Sequence, residues 1–212
     1  MQINNNVKKV FSILDKFHEP TMLELFKEKS AFEKLVATML SARAKDSTVI
    51  PIVLKMFEKW PEAKDYLDLD VEIIEKEIYS IGFYKNKARN LKNICFDLVE
   101  KFDGIVPNNV DDLISLPGVG RKTANCILNY HFGIPAIAVD IHVHRIANRL
   151  GWIKTSKESE SEKELMRVVS KEDWIRVNSL LVGHGQTICS PRNPVCGKCS
   201  ITMFCDYFNN LE

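Results

Sequence analysis

Four of the six cysteines in this 212-residue chain stand within seventeen residues, as C-x6-C-x2-C-x5-C over Cys189, Cys196, Cys199 and Cys205. Thiolates that crowd together in sequence suit a metal, because one loop can offer several soft ligands at once. Structural zinc commonly joins two C-x2-4-C knuckles from separate stretches. Here only Cys196 and Cys199 form such a knuckle. A single winding loop can also aim four thiolates at the corners of an iron–sulfur cubane. Spacing alone leaves the cluster, zinc and disulfides or free thiols all open. Cys95 and Cys126 stand apart on apolar helical faces, where a free cysteine is a small buried hydrophobe.

A second stretch able to do chemistry is "DDLISLPGVGRKTANCIL", residues 111–128. A short helix ends, the turn Leu116-Pro117-Gly118-Val119-Gly120 follows, and a new helix begins at Arg121, Lys122 and Thr123. Two glycines in five residues let backbone come close to a ligand and adopt positive φ. Amides of the new helix's first turn then point outward together, a seat for a phosphate, which Arg121 and Lys122 reinforce. Leu116 and Val119 pin the turn to the core. A hairpin of this kind grips nucleic-acid backbone and positions it without reading bases. Lys122 is otherwise a solvated charge in a first helical turn. Asp140, just before "IHVHRIANRL", has the type and place of a helix N-cap.

The elements that carry these residues are helical nearly throughout. Apolar residues recur at helical spacing, with little period-2 alternation. Helices are expected near 31–41, 47–59, 71–80, 85–102, 109–115, 120–131, 141–150, 161–170 and 173–184. "KESESEKE" is expected to be an exposed turn. Pro51 fits a helix that starts near Ser47, where first-turn amides have no partner to lose. The amino terminus is expected to be a short amphipathic helix with Val7, Val10, Phe11, Leu14 and Phe17 on one side. It has no secretory h-region, so a reducing compartment is expected. No run of eighteen apolar residues suits a membrane span. Net charge is +1, but it is uneven. Residues 83–154 carry 10 Lys/Arg against 6 Asp/Glu (+4), while the flanks sum to −2 and −1, so a polyanion should meet the central segment.

Together these residues resemble a known family. "LPGVGRKTAN", the aspartate of "AVDIHVHRIANRL" eighteen residues after its lysine, and the cysteine pattern follow one another in order. "MLSARAKD", "IGFYKNKARNLKNIC" and "GHGQTICSPRNPVC" extend the likeness over essentially the whole chain. The pattern is similar to the endonuclease III family of helix-hairpin-helix base-excision DNA glycosylases.

The resemblance implies an all-α fold of two helical lobes. One is a six-helix barrel with the helix-hairpin-helix over 23–134. The other is a discontinuous lobe of 1–22 and 135–212, holding a [4Fe-4S] cluster on Cys189, Cys196, Cys199 and Cys205. It implies that Lys122 is the nucleophile and Asp140 the catalytic carboxylate. A lysine amine that attacks C1′ must be neutral, and Arg121 and the helix amino terminus push that way. Leu116, Gly118, Val119, Gly120, Arg121 and Thr123 would contact DNA through the hairpin. Arg43 and Phe83 would enter the duplex from two loops, where bacterial members have glutamine and leucine. Arg192 and Lys198 would contact phosphates from the cysteine loop. His142 matches a family histidine; His144 stands where an apolar residue is usual. The implied activity is that of a bifunctional glycosylase and apurinic/apyrimidinic lyase, which removes oxidised pyrimidines such as thymine glycol from duplex DNA. Its partner would be double-stranded DNA with damaged bases or abasic sites. It would work as a monomer without a membrane, in a prokaryotic cytoplasm beside the nucleoid. A mismatch-directed thymine or uracil glycosylase and a non-catalytic iron–sulfur redox sensor on DNA are the rival readings.

Overall fold

The computed structural model describes residues 2–210, and the regular structure among them is all helical. No helix among them is long and apolar enough to cross a membrane. The chain divides into two compact units, 22–134 and the combination of 1–21 with 135–212.

The discontinuous unit begins with α1 (Gln2–Leu14), whose Val7, Val10, Phe11 and Leu14 are buried at helical spacing. Phe17 departs from the expected stripe. The helix ends at Leu14, a 3-10 turn follows, and Phe17 is left 71% exposed.

The continuous unit holds α2 (Met22–Leu25), α3 (Ala31–Ser41), α4 (Asp46–Lys59), α5 (Val71–Glu77), α6 (Tyr84–Phe102), α7 (Val110–Ser115) and α8 (Arg121–Tyr130). Helix α3 is mostly buried, Lys34 and Thr38 included, and packs on α4, α6 and α8. Its start is fixed reciprocally: Glu33 N–H donates to Ser30 Oγ at 3.1 Å, and Ser30 N–H donates to the Glu33 carboxylate at 2.7 Å. Helix α4 opens at Asp46, which makes Pro51 its sixth residue. That lies beyond the first turn, so the expectation that Pro51 costs no backbone bond does not hold. Helix α6 buries Lys87, Ala88, Leu91, Ile94, Cys95 and Leu98 along one stripe. Each fully buried Leu or Ile there contributes about 2 kcal/mol, so Leu91→Ala would loosen the unit at its centre.

The discontinuous unit continues with α9 (Ile141–Arg149), α10 (Glu158–Val168), α11 (Trp174–Thr187) and α12 (Asp206–Asn209). Helix α11 lies against α1 and α9, and Phe11 meets Trp152 edge to face. Helix α10 starts three residues before its expected start, inside "KESESEKE". Ser161 is fully buried there, because its hydroxyl lies 2.7 Å from His144 Nδ1 and 2.7 Å from Thr155 Oγ1. His144 therefore joins a polar network in which the two hydroxyls also bond to each other, and the Ser161 hydroxyl donates to the Lys157 carbonyl at 3.2 Å.

Candidate functional site

The hairpin between α7 and α8 is built as its residue types demand. Asn109 caps α7 by accepting the Asp112 N–H at 2.9 Å. Leu116 and Val119 are buried and hold the turn down. Their side chains therefore offer nothing to a ligand, and only their backbone can. Gly118 has φ +78°, and a Cβ there would lie 2.4 Å from Asn90 Nδ2, so no larger residue fits without movement. Gly120 is different. It caps α8 with φ −89° and no side-chain bond, and a Cβ there would meet nothing within 4 Å. Neither conformation nor packing asks for glycine at 120. Access to the first-turn amides of Arg121, Lys122 and Thr123 does. Arg121 is exposed, Lys122 half-buried and Thr123 buried.

Lys122 has a carboxylate within electrostatic reach that sequence reasoning missed. Asp46 is the half-buried first residue of α4. Burial pushes its carboxyl above the ordinary carboxylate value, and the charge of Lys122 pulls it part of the way back. Asp46 ends the "MLSARAKD" stretch, seventy-six positions before the lysine.

Asp140 lies in the discontinuous unit and is the N-cap of α9. Its Oδ1 accepts the N–H groups of His142 at 2.8 Å and Val143 at 2.9 Å. The cap holds the side chain in one orientation and leaves the other carboxylate oxygen for further chemistry.

Arg43 and Phe83 come together in the continuous unit. The Arg43 guanidinium sits 5.9 Å from the Phe83 ring centroid. Phe83 is 63% exposed, so it is no core aromatic. Both residues have left-handed backbone, φ 57° and 61°.

The four cysteines of the tail line one pocket in the discontinuous unit, walled also by Ile146, Leu150, His184 and Ile201. Burial, and after it the charge of the other thiolates, pushes the Cys199 thiol up. Burial likewise pushes up the Cys205 thiol. Arg149 donates from Nη1 to Cys189 Sγ at 3.1 Å and to the Ser190 carbonyl at 2.8 Å. His184 Nε2 lies 3.7 Å from Cys199 Sγ, and burial then Arg145 hold that imidazole down at about 4, so it is neutral. Among the described residues, no group of three or more His, Cys, Asp or Glu is arranged to hold a metal ion directly. Cys95 and Cys126 are buried elsewhere, as small hydrophobes. Arg192 and Lys198 are exposed on the cysteine loop.

Residues 36–171 match the model of the HhH-GPD superfamily of base excision DNA repair proteins. The chain belongs to that superfamily. Within the HhH-GPD proteins it is similar to endonuclease III of Bacillus subtilis, 40% identical over 204 residues, which is 94% of this chain and 93% of that one. Endonuclease III of Rickettsia felis is 39% identical over 204 residues, 96% of this chain and 95% of its own. Among solved structures, a trapped endonuclease III–DNA covalent intermediate is 34% identical with a TM-score of 0.86, covering 98% of both chains. A thermostable thymine-DNA glycosylase is 25% identical with a TM-score of 0.83, covering 96% of this chain and 95% of that one. The resemblance read from separate motifs thus extends along the whole HhH-GPD chain.

Proposed function

We propose that the protein is a bifunctional DNA glycosylase and apurinic/apyrimidinic lyase of the endonuclease III type. It acts on duplex DNA carrying oxidised pyrimidines such as thymine glycol. The observation that carries the reading is Lys122. It stands in the first turn of α8, directly after a hairpin whose Gly120 leaves the helix amino terminus open, and within reach of the Asp46 carboxyl. A relative by fold and sequence is an endonuclease III trapped covalently on DNA.

The chemistry follows from these groups. The hairpin amides take a phosphate next to the damaged nucleotide, and Arg121 adds charge. The nucleotide leaves the stack, because its glycosidic bond cannot be reached inside it. Bond cleavage builds positive charge on the sugar, which the Asp140 carboxylate steadies. Lys122 gives up its ammonium proton, which Asp46 can receive, and its amine then bonds to C1′ as the base departs with the glycosidic electron pair and takes up a proton. Loss of the amine proton and opening of the sugar ring give a Schiff base. Removal of a C2′ proton then expels the 3′ phosphate by β-elimination, and water releases the lysine. Asp46, half-buried with a raised carboxyl, is suited to receive and return a proton beside Lys122.

The cysteine pocket fits an iron–sulfur cluster on its own chemistry. Four thiolates sharing one largely apolar pocket repel one another, and iron relieves that repulsion. Cys189, Cys196, Cys199 and Cys205 would hold the [4Fe-4S] group, which supplies a cross-link that ties residues 189–205 into one body. Iron and acid-labile sulfide should each be found at about four per chain after anaerobic purification; stoichiometric zinc instead would reject the cluster.

Borohydride should trap wild-type protein on duplex DNA containing thymine glycol, and Lys122→Ala should not trap. Equal trapping by the alanine variant would assign the nucleophile to another amine. The likeness to a thymine-DNA glycosylase supports a second reading, removal of thymine opposite guanine. A panel of defined lesions decides: activity confined to mispairs would replace oxidised pyrimidines as the substrate.

A further inference from the structure

We propose that Lys87 is the positioning residue of a single preformed wedge, in which Arg43 and Phe83 enter DNA together. The inference rests on the glycosylase reading above.

Three non-glycine residues among those described have positive φ: Arg43, Phe83 and Asp103. Asp103 ends α6 in an ordinary left-handed cap, with Gly104 N–H returning to the Leu98 carbonyl at 2.8 Å. Arg43 follows the end of α3 in a turn closed by Ala44 N–H on the Ser41 carbonyl at 2.9 Å, a turn that asks for a left-handed residue at its place. Phe83, at the N-cap of α6, has no such excuse. Glycine would relieve both, and a bulky aromatic at φ 61° is a true outlier. Strain of this kind persists only where the surroundings over-determine it, and it gathers at sites that act on a ligand.

The surroundings here are one ammonium. Lys87 is buried on the inner stripe of α6, one turn after Phe83, and its own N–H donates to the Phe83 carbonyl at 3.1 Å. Its Nζ donates to the Leu40 carbonyl at 2.9 Å and to the Ala42 carbonyl at 2.7 Å. These are acceptors left over where α3 ends, so the bonds close that helix and fix the chain just before Arg43. One side chain therefore ties the loop of Arg43 to the helix start that displays Phe83. The loops are already in contact: a Cβ on Gly82 would lie 4.0 Å from the Arg43 carbonyl.

The pair so held has a shape suited to its task. A guanidinium lies over an exposed ring at 5.9 Å, a cation–π contact of two flat groups. Phe83 can fill the step left by the everted nucleotide, and Arg43 can donate to the base that has lost its partner. Because the two are in contact beforehand, less ordering is needed when DNA arrives.

The test compares lyase nicking of an abasic site in duplex with nicking of the same site in single-stranded DNA, where no stack has to be opened. Lys87→Met should lower the duplex-to-single-strand ratio by about tenfold, and Lys87→Arg should restore it to within about threefold of wild type. The ratio for Lys87→Met should not fall further when Arg43 and Phe83 are already alanine. An unchanged ratio in Lys87→Met, or an equal further fall in the alanine background, overturns the proposal. If Lys87→Met does not melt cooperatively, Arg43→Ala, Phe83→Ala and their combination decide. A double variant no worse than the worse single one supports one coupled wedge, and independent, multiplying losses overturn it. Failure of the function itself looks different, since wild type would then nick neither substrate.

Discussion

Asp140 has two jobs that substitution can separate. Its carboxylate caps α9, and in the proposed reaction its charge steadies the sugar. Asparagine caps a helix as well as aspartate does, whereas alanine loses the cap at a cost of about 1 kcal/mol. Asp140→Asn should therefore melt within a degree or two of wild type, yet remove bases roughly a hundredfold more slowly. Asp140→Ala should lose both stability and rate. Unaltered base release by Asp140→Asn in single-turnover assays would leave the residue a cap and nothing more. Asp46 makes the opposite case, a carboxylate held at a cost. Its proton affinity is raised in the folded state by burial, so the folded protein binds a proton that the unfolded chain has already released. Stability is thus lost as pH rises through the window that begins at the ordinary carboxylate value. Asp46→Asn should raise Tm by about 2 °C at pH 7, and the gain should vanish on acidification through that window. A gain that persists at low pH would have another cause. Asp140 was legible because a cap is a local device written in adjacent residues. Asp46 was not, because its meaning depends on a partner seventy-six positions away.

At the scale of elements, the two hairpin glycines make a paired prediction. Gly118→Ala meets Asn90 and a left-handed backbone, and should cost about 1–3 kcal/mol of stability. Gly120→Ala meets neither. As a poorer N-cap it should cost less than about 1 kcal/mol, while its methyl group would stand before the amides that open α8, and duplex affinity should fall about tenfold, read by fluorescence anisotropy. The reverse pattern, a stable Gly118→Ala and an unstable Gly120→Ala with full affinity, would strip the hairpin of its phosphate role. Helix positions were legible to within a few residues because their apolar stripes are long. Ends were less so. Helix α5 stops at Glu77, short of the expected 80, because Ile81 N–H turns back to the Ile78 carbonyl ahead of the Gly82–Phe83 loop. The lysine clips were not foreseen. Lys34 bridges the Lys27 and Tyr130 carbonyls, and Lys92 those of Leu67 and Leu69, much as Lys87 bridges Leu40 and Ala42. Only Lys87 left a trace in the sequence, since it falls on the apolar stripe with Leu91, Ile94 and Leu98.

Those clips change what the charge of the whole molecule means. Residues 83–154 hold ten cations, and their excess suggested a basic face for DNA. Several are occupied within the protein. Lys87 and Lys92 bind carbonyls, Lys101 pairs with Asp97, Arg145 binds the Cys189 carbonyl, and Arg149 binds Ser190, Pro191 and the Cys189 sulfur. Lys122 is assigned to the sugar. Lys85, Arg89 and Lys154 are exposed in that segment, as is Arg121 of the hairpin, with Arg192 and Lys198 exposed on the cysteine loop. Each phosphate neutralised contributes about −0.9 to the slope of log K against log salt, so the four central cations with one or both of the loop's give about −4.5 to −5.5. All ten central cations engaged would give about −9. Anisotropy titrations of undamaged duplex over a salt series measure the slope directly. Arg192→Ala and Lys198→Ala should each shrink it by about 0.9 if both loop cations touch phosphate. A wild-type slope near −9 would mean that the internal clips release their lysines and arginines when DNA binds, and the wedge anchored by Lys87 could not then be preformed.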